Sequence, residues 1–277
     1  MLYGTFIGDI SGSRYEFKKL SIITKKRLDI YNTLMSSKSR ITDDSIMTVA
    51  ILDAITSCDK NADEDTLKKA FITKMKFWAN KYPNAGYGSM FRNWFTLDSE
   101  EPYNSFGNGS AMRVSSIGEY YDSIDRVLEV AKWSAEVTHN HPEGIKGAQA
   151  IAACVFMAKQ KRSKEDIEKY IKDNFYQNII IDSFDSVRKD VSYVSCERTV
   201  PAAIAAFLKG NDLLDSLKIA ILMGGDTDTI AAMTGSISEV YYDSFSPGIT
   251  RIVNSKLPED ILKFMKDLKG KNPEIKF

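Results

Sequence analysis

The chain has few of the residues that mark the commonest specialised sites. Its 277 residues include three cysteines, Cys58, Cys154 and Cys196, and only two histidines. The cysteines are far apart and never form Cys-x-x-Cys. That excludes a disulfide framework and a cysteine-held zinc, and it fits reduced thiols in a cytoplasmic setting. Neither sign of charge is in excess, with Lys+Arg and Asp+Glu at 37 each, so no global charge recruits a polyanion or an acidic membrane surface. Long apolar runs are missing as well. The start, MLYGTFIGDISGSRYEF, has no basic segment ahead of an apolar one, and Asp9 interrupts the only candidate; neither a leader nor a membrane span is expected. Glycine and proline are sparse, at 16 and 7, and no Gly/Ser or Pro linker or internal repeat divides the chain. One domain over residues 1–277 is the expectation.

What is present is a core-forming composition, 43% hydrophobic and 11% aromatic, with apolar residues at helical spacing. Leu67, Ala70, Phe71, Met75 and Trp78 mark one face of a helix over 65–80, and Ile124, Val127, Leu128, Ala131 and Ala135 mark another over 124–136. Segments 45–57 and 145–158 are apolar around most of their circumference and rich in small residues, which predicts helices buried inside a bundle. Helical runs continue at 164–174, 200–209, 212–222, 229–241 and 258–268. The best strand-like stretch, 178–184, is too short and isolated to imply a sheet. The fold class is all-α.

Chemistry is expected at the joints between helices, where glycine meets oxygen-bearing side chains: 8–16 (GDISGSRYE), 41–45 (ITDDS), 106–113 (FGNGSAMR) and 224–233 (GGDTDTIAAM). Thr42, Asp43 and Asp44 at one helix entrance, and Asp226, Asp228 and Thr229 at another, each hold two carboxylates and a hydroxyl. Helix capping explains one such side chain per helix. Doubling the carboxylates adds like-charge repulsion unless a cation neutralises it. Oxygen ligands select Mg²⁺, Mn²⁺ or Ca²⁺, and two converging clusters would suit a pair of ions roughly 3.5–4 Å apart.

The 106–113 joint has the makings of an anion cradle: backbone amides at a helix start, with Gly107 and Gly109 allowing close approach. It lacks the Gly-Lys-Ser/Thr of a P-loop, and no Gly-x-Gly-x-x-Gly follows a strand. In THNHPEG (138–144), Pro142 and Glu143 make a good helix first turn, so the histidines either close one helix and cap the next or contact a ligand through His141. Glu16 reads as a surface glutamate or as the base of a metal site. Phe106 and the aromatics of 86–95 read as core or as platforms for a base or sugar.

Taken together and in this order, GDISGSRYE, TDDS, GNGSAMR, THNHPEG and GGDTDTIAAM resemble the motifs of the ADP-ribosylglycohydrolase family, from Gly8 to about Tyr241. The resemblance implies a compact orthogonal helical bundle with a binuclear centre of two Mg²⁺, or Mn²⁺, at the base of an ADP-ribose cleft. It implies Thr42, Asp43, Asp44, Asp226, Asp228 and Thr229 as metal ligands. Glu16 becomes the catalytic base, with Asp44 and Asp228 sharing in catalysis. Phe106, Gly107, Asn108, Gly109, Ser110, Met112 and His141 become contacts to the nucleotide. The implied activity is hydrolysis of the bond between ADP-ribose and a modified acceptor, with nucleic acid expected only as an ADP-ribosylated substrate. A non-catalytic ADP-ribose-binding protein on the same fold and a two-metal phosphoesterase use the same residues. Ser45 stands where many relatives have a second threonine, and it keeps the hydroxyl.

Overall fold

A computed structural model of the chain describes residues 2–18, 28–178, 194–243, 246–275 and 277. Fourteen α-helices form among the described residues: α1 (Tyr3–Ser13), α2 (Ile30–Met35), α3 (Asp43–Thr56), α4 (Glu64–Lys81), α5 (Ser89–Thr96), α6 (Ser115–Tyr120), α7 (Ile124–Glu136), α8 (Pro142–Lys159), α9 (Lys164–Asn174), α10 (Cys196–Lys209), α11 (Leu213–Met223), α12 (Thr227–Tyr242), α13 (Pro247–Asn254) and α14 (Glu259–Lys271). Among these residues the only β feature is an isolated bridge between Gly107 and Ser195. The class is all-α, as the periodicity indicates. Residues 179–184 of the strand-like stretch lie outside the described residues.

Ordinary caps start several helices. Asp63, Ser123, Ser163 and Asp212 each accept from the amide three residues on, at 2.7–3.3 Å, which satisfies one free donor per helix. The amphipathic α4 buries Leu67, Phe71, Met75, Trp78 and Ala79 and leaves its other face to solvent. The helices read as all-round apolar, α3 and α8, are buried along most of their length, where small side chains allow neighbours on every side.

The stretch 8–16 differs from its reading as a joint. Residues 8–13 lie inside α1, and all of Tyr3–Ser13 is buried. The reason is packing. Gly4, Gly8 and Gly12 recur every four residues and so line one side of the helix. A Cβ added at any of them would come within 3.0 Å of the α12 backbone at Gly235, Ala231 or Thr227 respectively. As numbers rise along α1 they fall along α12, so the two helices are antiparallel and touch backbone to backbone. Here glycine trades helix propensity for close approach. That contact fixes the centre of the fold: α12 is buried from Thr227 to Glu239 and packs also against α8, α10 and α11. Because side chains project just beside the glycine seam, α1 and α12 deliver carboxylates to the same spot.

Candidate functional site

The entrances of α3 and α12 meet beside the C-terminal half of α1. Asp9 projects from α1 and is fully buried; its carboxylate accepts from the Thr42 amide (2.9 Å), the Thr42 hydroxyl (2.8 Å), the Ser45 amide (3.1 Å) and the Ser45 hydroxyl. It thus satisfies the free amides of α3 across the helix boundary. Thr42 is the local cap, with its hydroxyl 3.4 Å from the Asp44 amide. This leaves Asp43 and Asp44 uncommitted to capping. Asp44 receives the Thr42 hydroxyl at 3.1 Å and the Thr229 hydroxyl at 3.2 Å on Oδ2, while its buried Oδ1 has no partner.

On the other side, Gly224 and Gly225 take φ of +77° and +71°, a left-handed pair that turns the chain sharply into α12. Asp226 occupies the cap position but makes no cap hydrogen bond; its Oδ2 accepts from Asn108 Nδ2 at 2.7 Å. The capping explanation therefore fails for Asp226. Glu16 is brought to the same turn because the Phe17 amide donates to the Gly225 carbonyl at 2.8 Å. One oxygen each from Asp9, Asp44 and Asp228 lie within 4.8 Å of one another, as do those from Glu16, Asp226 and Asp228.

Among the described ion pairs, none neutralises these acids. Burial, followed by the neighbouring carboxylates, pushes Asp43 up to about 8 and holds Asp44 and Asp228 well above the usual range. Asp9 is pushed up to about 6 by burial, against the four hydrogen bonds it accepts. Glu16 is raised by burial and by Asp226, with Arg40 and Lys18 opposing. Six carboxylates, of Asp9, Glu16, Asp43, Asp44, Asp226 and Asp228, cannot all ionise cheaply in such a space. The orphaned Asp44 Oδ1 and the all-oxygen donor set fit a hard divalent cation.

The acids form the floor of a cavity of about 360 Å³, a size suited to a small ligand. Tyr87, Met90 and Phe91 form one wall; Gly107, Asn108, Gly109, Met112 and His139 form the other. Tyr87 and Phe91 pack with ring centroids 5.3 Å apart. A larger cleft of about 630 Å³ between α7, α8 and α9 contains none of the candidate catalytic, metal or nucleotide-contact residues.

Three expected nucleotide contacts do not line this cavity. His141 is the N-cap of α8, its Nδ1 accepting from the Glu143 amide at 3.1 Å, which is the capping alternative that Pro142 and Glu143 announce. Phe106 is 56% exposed and packs edge-on against His141, with centroids 5.6 Å apart. Ser110 is buried, donating to the Gly144 carbonyl at 2.8 Å, so it anchors the glycine turn from behind. Thr42 acts through Asp9 and Asp44 rather than facing the cavity. Two residues were missed. Asp9 reads as an interruption of an apolar run, and its Gly-x-x-x-Gly setting was the available signal. His139 is the buried histidine that faces the cavity; its closeness to Gly107 and Gly109 in space has no counterpart in periodicity.

Residues 1–243 match the family described as ADP-ribosylglycohydrolase. The chain is 30% identical over 261 residues to ADP-ribosylhydrolase ARH3 of Gallus gallus, covering 73% of this chain and 70% of that one. It is 28% identical over 310 residues to ADP-ribosylhydrolase ARH3 of Homo sapiens, covering 87% and 84%. The fold resembles a solved ADP-ribosylglycohydrolase-related protein complex, with a TM-score of 0.68 at 18% identity over 96% of this chain and 94% of that one. Acids drawn together from α1, α3 and α12 sit in a chain whose matched region contains all of them, and the chain belongs to the ADP-ribosylglycohydrolase family as an ADP-ribosyl glycohydrolase.

Proposed function

We propose that the chain hydrolyses the glycosidic bond between ADP-ribose and a modified acceptor, reversing ADP-ribosylation, and that it uses two Mg²⁺ or Mn²⁺ ions to do so. The observation that carries this reading is the acid cluster, unpaired by any described ion pair, at the base of a nucleotide-sized cavity. Asp43, Asp44, Asp226 and Asp228, with the hydroxyl of Thr229, are the residues that would hold the ions, and Thr42 would serve the set through its bond to Asp44. Asp9 holds the Thr42 and Ser45 end of the set in place. Bound there, the ions would supply Lewis acidity toward ribose hydroxyls and water.

The chain's own groups account for the remaining work. Asn108 ties the glycine turn to Asp226, so the nucleotide wall and the acidic floor move as one. Gly107 and Gly109 leave room for sugar and diphosphate oxygens. Tyr87 and Phe91 offer aromatic faces to the nucleoside. The bond from the anomeric carbon to the acceptor breaks as one from water oxygen forms, and the carboxylate-rich floor favours the positive charge developing on that carbon. Glu16, half-buried at the rim of the acids, takes the water proton; its raised proton affinity suits a general base. The acceptor leaves with a proton from solvent.

We read the chain as one domain, since Tyr3 on α1 donates to Asn254 of α13 at 2.7 Å and Trp78 on α4 packs against Phe264 of α14 at 5.7 Å. No described helix is long and apolar enough to cross a membrane; free cysteines at 58, 154 and 196 support a cytoplasmic setting. The test is a panel of arginine-, serine- and thymidine-linked ADP-ribose conjugates with and without chelator. Release of free ADP-ribose that chelation abolishes is expected. Tight ADP-ribose binding without release from any conjugate would favour a binding protein, and AMP release from ADP-ribose would favour a phosphoesterase.

A further inference from the structure

Behind the glycine turn lies a short polar chain. Arg113, 1% exposed, follows the turn directly in sequence and points its guanidinium inward. Its Nη2 donates to the Ser134 carbonyl at 2.7 Å and to the Thr138 hydroxyl oxygen at 2.8 Å. The same Thr138 oxygen lies 2.8 Å from Nδ1 of His139. Guanidinium is a donor only, so the Thr138 oxygen accepts from it; the other hydrogen-bonded neighbour described for that oxygen is Nδ1, and the hydroxyl proton is used only if it is donated there. That partner, Nδ1, is then an acceptor without a proton. A neutral imidazole with a bare Nδ1 has its proton on Nε2. Nε2 faces the turn: a Cβ added at Gly109 would lie 3.1 Å from it, and one at Gly107 3.6 Å. Tyr103 packs edge-on against the ring at 5.5 Å and holds its plane.

We propose that Arg113 and Thr138 are positioning residues that lock His139 in the Nε2–H tautomer, so that the ring offers a hydrogen-bond donor, and no acceptor, to the cavity at Gly107 and Gly109. Burial, and after it the neighbouring Arg113 charge, holds the ring well below the ordinary histidine range, so it stays neutral. The site thereby selects a ligand atom that accepts, such as a sugar or phosphate oxygen, over one that donates. A neutral donor also adds no charge beside the acidic floor. Arg113 acts on His139 through Thr138, the bonds of its Nη2 being made to the Ser134 carbonyl and the Thr138 hydroxyl. The choice of ligand rests on the reading of the cavity as an ADP-ribose site; the tautomer does not.

With only two histidines in the chain, nitrogen-15 correlation spectra of the imidazoles read this directly, and His141→Asn assigns His139. In the unsubstituted protein, Nδ1 of His139 is expected at an unprotonated and Nε2 at a protonated nitrogen shift, unchanged from pH 6 to pH 8. Thr138→Val should release the lock, mixing the two tautomers and weakening ADP-ribose binding by roughly two- to tenfold, the worth of one hydrogen bond. Thr138→Ser should restore both. A protonated Nδ1 in the unsubstituted protein overturns the proposal, as does an unmixed Nε2–H tautomer in a folded Thr138→Val protein. If Thr138→Val does not fold, the unsubstituted and Thr138→Ser spectra still decide. The expected tautomer in a protein that releases no ADP-ribose would leave this proposal standing and refute the proposed activity, whereas turnover with a protonated Nδ1 would do the reverse.

Discussion

Gly8→Ala is the substitution that most directly perturbs the way the fold makes the site. In an exposed helix interior this change would stabilise by about 1 kcal/mol, because alanine loses less backbone freedom than glycine. At residue 8 the new methyl would meet the Ala231 carbonyl group and the Ala232 amide of α12, all within 3.0 Å, and backbone cannot rotate away as a side chain can. Overpacking of this sort costs about 1–3 kcal/mol, and a backbone obstacle places it at the upper end. The net expectation is a loss of about 2 kcal/mol, or roughly 4–8 °C in Tm for a chain of this size. Moving α1 off α12 also separates Asp9 from Asp228, whose oxygens lie within one 4.8 Å cluster, so Mn²⁺ affinity should fall with stability. Urea unfolding and isothermal titration with Mn²⁺ measure the two effects. Gly270→Ala in α14 is the internal control: nothing lies within 4 Å of its added Cβ, and it should stabilise by up to about 1 kcal/mol with Mn²⁺ binding unchanged. A Gly8→Ala protein as stable as Gly270→Ala, or one with undiminished Mn²⁺ affinity, would refute the role given to the glycine seam.

Glu16→Gln should retain divalent-cation binding and ADP-ribose affinity while kcat falls by roughly 10²–10⁴-fold, as for loss of a general base; unchanged turnover in single-turnover assays removes Glu16 from that role. Asp228→Asn keeps shape and removes charge, so calorimetry should show loss of Mn²⁺ binding and activity with Tm equal to or above that of the unsubstituted protein measured in chelator. Near-normal rates would take Asp228 out of the metal set. In chelator, folded Asp43 stays protonated up to about 8 whereas the unfolded chain releases that proton near 3.8. The folded state therefore binds more protons across that window, and stability should decline as pH rises through it. Urea midpoints at pH 5 and pH 7.5 test this, and saturating Mn²⁺ should abolish the decline; a midpoint that rises with pH in chelator would contradict it.

Much of the architecture was legible because helical periodicity survives burial: the boundaries of α4, α7, α8 and α9 follow the apolar spacing to within a few residues. Helix α1 escaped because three glycines lower its apparent propensity, and only their spacing of four betrays a packing face. The aspartates of 41–45 and 224–233 were recognisable by their doubling, since one helix start uses one cap. Asp9 was not, because a lone acid in an apolar run becomes meaningful only when a second helix places its amides around it. The choice between His139 and His141 turns on side-chain direction. Residues two apart at a helix joint point in unrelated directions, and the capping bond of His141 to Glu143 and the Thr138 bond of His139 depend on the fold around them.

The central claim, that acids at the starts of α3 and α12 hold divalent cations where a nucleotide sugar docks, is tested most directly by anomalous diffraction from crystals grown with Mn²⁺ and ADP-ribose. Manganese signal against Asp43, Asp44, Asp226 and Asp228, with the ribose of the ligand beside it and the diphosphate along Gly107–Gly109, is the expected result. ADP-ribose seated in the cavity with no manganese at those carboxylates, or manganese there with the ligand bound elsewhere, would contradict it.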